Sequence, residues 1–345
     1  MLHRFAKSVA GCTVLLLLAG SLVTSTDSGL SVPDWPTTYG WNMFAFPPSK
    51  WVGGIFYEHG HRLIASGVGL LTIILAGWLW WREERRWMRW LGVITLATVV
   101  AQGLLGGLTV LYFLPAPVST AHAALAEVFF CLTVAIALFT SPGWLAGYAG
   151  PETRSDGGAG AGDAVLRQLT VATTVLIYVQ ILVGATMRHL DAGLAIPDFP
   201  LMFGGLIPNH WDTKIAVHFA HRTGALLVAL AVIATFGHVR YHHRQRPELM
   251  RPGVLLFALL GVQLTLGALT VLSRLQVWIN SVHLVCGALV LTTSLVLALR
   301  AWRVTFSTSA SSAVRTKPGT PSAPGKVRLM TRRSAAAYGT KVERA

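Results

Sequence analysis

Four histidines lie inside or at the mouth of long apolar runs, where an ionisable side chain is costly and marks a functional site by default. They are His61, His122, His221 and His283. His61 and His221 open their runs in the settings Tyr57-Glu58-His59-Gly60-His61-Arg62 and Val217-His218-Phe219-Ala220-His221-Arg222. His122 and His283 follow Ser119-Thr120-Ala121 and Asn280-Ser281-Val282. Two imidazoles at equal depth on facing helices can hold one planar iron macrocycle between them, and four-helix bundles build cofactor sites in this way. Zinc or copper would usually recruit a third or fourth ligand. No Cys or carboxylate recurs beside both pairs, so haem is favoured over a bare ion.

The copies differ at Glu58, which stands three residues before His61 on the same helical face; its counterpart is His218. A carboxyl beside an apolar cofactor pocket can serve in proton transfer. One half thus carries an acid–base group and the other does not, which predicts one catalytic haem site and one electron-transfer site. Arg62 and Arg222 directly follow the two ligand candidates. They suit haem propionates, since guanidinium matches carboxylate, and equally suit snorkelling to headgroups. His59 points away from His61, and His218 lies one turn from His221 on its face. His3, His189, His210, His238, His242 and His243 fall in loops or at run ends and read as solvated surface.

The elements that must position these residues are membrane spans. Hydrophobic residues make up 53% of the 345 and charged ones only 12%, far from the usage of a soluble domain. Apolar runs of the required length of roughly 20 residues fall at about 9–26, 57–81, 91–112, 119–140, 167–187, 214–237, 252–272 and 278–299. The formal charge of +14 is segregated. Arg82, Arg85, Arg86 and Arg89 fill one short loop, and Arg240, Arg244, Arg246 and Arg251 another; the opposite side carries only Lys50, Arg188, Lys214 and Arg274. The positive-inside rule puts the basic loops and both termini in the cytoplasm, with every span alternating correctly. Topology explains the charge, and no nucleic acid partner is needed. Cys12, Cys131 and Cys286 all lie in apolar segments and form no disulfide framework or CxxC motif.

The chain reads as a four-helix unit repeated once. Gly29-Leu30-Ser31-Val32-Pro33-Asp34-Trp35-Pro36 returns as Gly193-Leu194-Ala195-Ile196-Pro197-Asp198-Phe199-Pro200, and Gln102-Gly103-Leu104-Leu105-Gly106 as Gln263-Leu264-Thr265-Leu266-Gly267. Gly, Pro and Asp at fixed offsets mean a defined turn, either an interfacial cap or a lid over a ligand. The glycines let helices approach closely. The expected fold is all-α and integral to the membrane: eight transmembrane helices in two tandem four-helix bundles, related by a pseudo-two-fold axis along the membrane normal. The expected divisions are 1–140 for the first bundle, 141–166 for a cytoplasmic linker, 167–300 for the second bundle and 301–345 for a basic, disordered tail.

Together, Glu58-x-x-His61-Arg62, His122, His221-Arg222, His283 and the twin Gly-Leu-x-x-Pro-Asp-[Trp/Phe]-Pro loops resemble the haem A synthase family over about residues 9–300. The resemblance implies a multi-pass oxidoreductase of the bacterial cytoplasmic membrane that oxidises a methyl group of haem O to a formyl, giving haem A for terminal oxidases. It implies that His61 and His122, with Glu58, form the substrate haem site, while His221 and His283 bind a retained haem b. Implied partners are haem O, the enzyme supplying it, and a membrane electron donor such as quinol; a homo-oligomer is left open. Many members carry a cysteine pair in the first outer loop, and this chain has none there, so a thiol-linked role is not expected. Two other classes fit the same ligands: a di-haem b electron carrier, and a haem transporter or chaperone.

Overall fold

The computed structural model of the chain describes residues 1–147 and 163–313, with 304–313 given by backbone alone. The linker core and the rest of the basic tail lie outside those residues. The described part is helical: α1 (Leu2–Ser25), α2 (Gly54–Arg82), α3 (Arg86–Leu111), α4 (Ala116–Phe139), the short α5 (Pro142–Ala146), α6 (Ala164–His189), α7 (Thr213–His242), α8 (Pro247–Leu272) and α9 (Val277–Ala313). Eight of these are long and apolar enough to cross a membrane, the last over Val277–Arg303. Their outward faces carry exposed Leu70, Ile73 and Ile74 on α2 and Leu226, Leu227 and Ile233 on α7. A water-facing surface would not carry such continuous apolar stripes; lipid accounts for them.

Packing divides the helices into two rings. In the first, α1 touches α2, α2 touches α3, α3 touches α4 and α4 closes on α1; α6, α7, α8 and α9 repeat this order. Between the rings α1 meets α9, α4 meets α6, and α4 meets α9. Exchanging the halves turns the α1–α9 contact into the α6–α4 contact and maps α4–α9 onto itself, as a two-fold relation requires. Each ring has its own apolar core, one around Val9, Leu75, Leu79 and Ile136, the other around Val228, Val232, Leu256 and Leu291.

Several helices begin earlier than their apolar runs. The first starts at Leu2, the third at Arg86 and the seventh spanning one at Pro247, because polar first turns lie in the headgroup region where hydropathy does not register them. Pro252, taken as the start of a run, lies inside α8. It cannot donate to the carbonyl four residues back. That carbonyl belongs to Glu248, and Arg300 of α9 donates to it instead at 2.9 Å. Likewise α9 stays helical to Ala313, past the point where the tail was expected to begin.

Candidate functional site

Each of the four histidines sits on a glycine of the helix before it. A Cβ built on Gly20 of α1 would fall 3.0 Å from Cε1 of His61 on α2, and one on Gly106 of α3 would fall 3.1 Å from Cε1 of His122 on α4. In the second ring the distances are 2.9 Å from Gly184 to His221 and 3.2 Å from Gly267 to His283. The missing side chain is the imidazole's seat. Gly106 and Gly267, read from sequence as helix-packing residues, together with Gly20 and Gly184 thus fix where four rings lie.

Three of the rings also meet a glutamine one turn before the glycine. Gln180 Nε2 lies 3.0 Å from His221 Nδ1 and donates to the His221 carbonyl at 2.7 Å. Gln102 Nε2 lies 3.4 Å from His122 Nε2 and donates to its carbonyl at 2.9 Å, and Gln263 Nε2 lies 3.5 Å from His283 Nε2. At the matching place before Gly20 stands Leu16, whose side chain has no donor to offer His61, so the ring meets only its backbone carbonyl there. His61 lies within electrostatic reach of His122, and His221 of His283. Nδ1 of His61, His122 and His283 is buried and makes no hydrogen bond of good geometry, while each ring lies within reach of a backbone carbonyl, that of Leu16, Gln102 or Gln263. None of the four belongs to a group of three convergent His, Cys, Asp or Glu donors among the described residues. Paired imidazoles with no third convergent donor would suit a haem, which two histidines can hold, rather than the tetrahedral shell of zinc.

The outer loops are held over these sites by the residues that follow the helix starts. Arg62 donates to the carbonyls of Val32, Asp34 and Thr37 at 2.9, 2.7 and 3.1 Å. Arg222 reaches the repeat-related Ile196, Asp198 and Leu201 carbonyls at 2.9, 2.7 and 3.0 Å. The carboxylates of Asp34 and Asp198 accept the backbone N–H pairs of Tyr39 and Gly40 and of Phe203 and Gly204. These bonds hold both carboxyl groups below their usual range, that of Asp34 against a desolvation that acts the other way. Tyr39, Gly40, Phe203 and Gly204 all have positive φ, as the central residues of a tight hairpin turn require. In the first half Trp35 reaches down onto α3, where a Cβ on Gly107 would fall 2.5 Å from its indole. The loop therefore touches the residue beside the seat of His122.

Glu58 and His218 do one mechanical job with different chemistry. Glu58 is almost wholly buried; Oε2 accepts from the Val32 N–H at 2.7 Å and Oε1 from Arg62 at 2.6 Å. In the second half Arg222 Nε–H donates to His218 Nε2 at 3.0 Å. That makes Nε2 the acceptor and leaves the proton on Nδ1, which donates to the Ala192 carbonyl at 3.0 Å, with Ile196 N 3.3 Å away. Both side chains bind the loop and the arginine one turn ahead. The carboxyl of Glu58 meets Arg62, not His61. His59 turns away from His61, as expected, and packs under the first loop against Phe46 and Trp51, with Nδ1 3.1 Å from the Thr38 hydroxyl.

Two ionisable groups escaped the reading of histidine spacing. Glu127, on α4, is buried with Oε2 unpartnered, near Cys131 of its own helix and Tyr178 of α6. It stands where the two rings meet, since Tyr178 donates to the Ala124 carbonyl at 3.3 Å. A lone charge in an apolar run was the available signal. An unpaired buried carboxyl costs about 1–3 kcal/mol, so Glu127→Leu should raise the thermal midpoint of the detergent-solubilised protein; an unchanged or lower midpoint would show that the carboxyl has a partner. Arg188 ends α6 with its Nε buried and unbonded, near Asp27 and Asp191. The three cysteines are free thiols.

A family model for cytochrome oxidase assembly proteins matches residues 3–295. Curated relatives named haem A synthase include one from Geobacillus kaustophilus, 27% identical over 325 residues, which covers 92% of this chain and 98% of the relative. Another, from Symbiobacterium thermophilum, is 30% identical over 282 residues, covering 81% and 89%. A third, from Shouchella clausii, is 30% identical over 241 residues, covering 68% and 76%. The match takes in both rings and all four glycine-seated histidines, and the chain belongs to this family of membrane-embedded cytochrome oxidase assembly proteins.

Proposed function

We propose that the chain is a haem A synthase, an oxidoreductase acting on a C–H bond that converts a methyl group of haem O to a formyl by two successive two-electron hydroxylations, each drawing on an external oxidant such as dioxygen, and loss of water. The observation carrying this reading is the pair of repeat-related imidazole sites, each ring seated on a glycine. The identity of the substrate comes from the relatives' names.

Within this reading the halves divide the work. His61 and His122 hold the substrate haem O in residues 1–140, and His221 and His283 hold a retained haem b in residues 167–300, with the linker 141–166 between and the tail 301–345 after. Haem b, when bound, supplies one-electron transfer. Two differences favour this assignment. Leu16 leaves the His61 ring without the amide contact that the other three receive, which suits a site that must admit substrate and release product. Glu58 gives the first half an ionisable oxygen one turn from His61, where the second half has the neutral imidazole of His218. In turnover Glu58 holds and moves a proton at a carboxylate oxygen, and the Arg62 bond keeps it oriented. The loop over α3, with Trp35 against Gly107, excludes water from the face of His122. The basic end faces the cytoplasm; haem O arrives from the enzyme that makes it, and electrons from a membrane donor such as quinol.

Extraction of haems from protein purified after expression with a haem O supply tests the proposal. Haem b together with haem A, or with a hydroxylated intermediate, is expected once electrons are supplied. Two equivalents of unmodified haem b would make the chain an electron carrier instead.

A further inference from the structure

At the end of the second ring opposite the haem ligands, three side chains from two helices converge on one point. Nε2 of His238 lies 2.6 Å from Oδ2 of Asp163, and Nε2 of His243 lies 2.7 Å from the same oxygen. The local backbone makes this meeting. Asp163 caps α6, and its Oδ1 accepts the Leu166 N–H at 2.8 Å, so the carboxylate is divided, one oxygen for the helix and the other aimed at the imidazoles. His238 lies on the last turns of α7. His243 caps that helix with φ −127° and ψ 26°, so the chain leaves the helical path and brings a ring five residues on to the same side as His238. All three residues are partly buried, and the group is the one convergence of three such donors among the described residues.

We infer that Asp163, His238 and His243 form a divalent metal site, with zinc the best-matched ion. Two imidazole nitrogens and one carboxylate oxygen are a borderline donor set that zinc accepts in tetrahedral sites, with water in the fourth place. The ion replaces the protons now shared between each Nε2 and Oδ2. Its site is separate from all four haem-ligand candidates. It joins the residue that caps the first helix of the second ring to the end of α7, fixing where that ring begins. The surrounding charge is mixed: Arg240, Arg244 and Arg246 lie on the adjoining turn, with Arg246 3.4 Å from Glu248. His242 lies tilted against His238, with ring centroids 4.5 Å apart, but is not one of the three convergent donors.

The test uses full-length protein without a polyhistidine tag, dialysed against zinc chloride and then against metal-free buffer, with zinc per chain read by elemental mass spectrometry. Wild type should retain one zinc per chain. Asp163→Asn, which keeps a capping oxygen, and His238→Ala and His243→Ala should each weaken retention by more than the roughly tenfold typical of losing an outer-shell partner, with haem content unchanged. His242→Ala should retain zinc. The site is disproved if wild type retains none, if any of the three ligand variants retains as much as wild type, or if His242→Ala loses it equally.

Discussion

Replacing Gly184 by valine should empty the second-half site of haem b while leaving the helical fold in place. A Cβ at this position would already fall 2.9 Å from Cε1 and 3.3 Å from Nδ1 of His221, and valine adds two methyl groups beyond it. The ring cannot slide along α6 either, because Gln180, one turn before Gly184, lies with Nε2 3.0 Å from its Nδ1 and is itself packed against Gly224. The whole imidazole must move. Metal–ligand bonds tolerate displacements of about 0.2 Å, whereas overpacking of this kind costs about 1–3 kcal/mol in stability. Ligation should therefore fail well before folding does. Gly261→Val on α8 is the control, since a Cβ there meets nothing within 4 Å. Haem b per chain, measured on the monodisperse protein, should fall by an order of magnitude or more in the first variant and stay at the wild-type level in the second. Full haem retention with an unshifted spectrum in Gly184→Val would mean that His221 does not bind iron.

The positions of the four histidines, the eight spans and the internal repeat were legible because each is written locally, in runs of apolar residues and in motifs that recur at a fixed offset. Helix ends were less so. Leu2, Arg86 and Pro247 start helices whose first turns are polar, and only the partner that Arg300 provides to the Glu248 carbonyl explains how Pro252 fits inside one. The glycine and glutamine partners were visible as Gln102/Gly106 and Gln263/Gly267, yet they read as generic packing, because what the glycine makes room for is on another helix. The arginines were read as even between propionates and headgroups; what spacing could not show is the set of three loop carbonyls that each one binds, because those loops fold back from some thirty or twenty-odd residues earlier. His238 and His243 were read as solvated surface, and that reading is corrected: both are partly buried and share Asp163, which caps α6 some eighty residues before them. Contacts across that distance leave no trace in spacing.

Glu58→His should keep the first outer loop in place and abolish turnover, which would separate the two roles that Glu58 can have. Its carboxylate binds the Val32 N–H and Arg62, so a loss of activity on removing it could arise from a loosened loop alone. The second half supplies the control: His218, at the equivalent position, binds Arg222 and the Ala192 carbonyl and holds a loop of the same design. A neutral imidazole at residue 58 can accept from Arg62 through Nε2 as His218 does from Arg222, so the three Arg62–carbonyl bonds should persist. Protease sensitivity of the segment around Asp34 and Tyr39 should then match wild type, whereas Glu58→Ala, which removes the acceptor of Arg62 as well as that of the Val32 N–H, should cleave faster. Loss of a positioned acid–base group costs about 10²–10⁴ in rate. Glu58→His should show a loss of that size in conversion of haem O, with haem b content unchanged and the loop protected. Near wild-type turnover in this variant would assign Glu58 to the loop alone and move the proton-handling group elsewhere in the first half. Such a result would leave the buried carboxyl of Glu127, on the same helix as His122, as the next group to test.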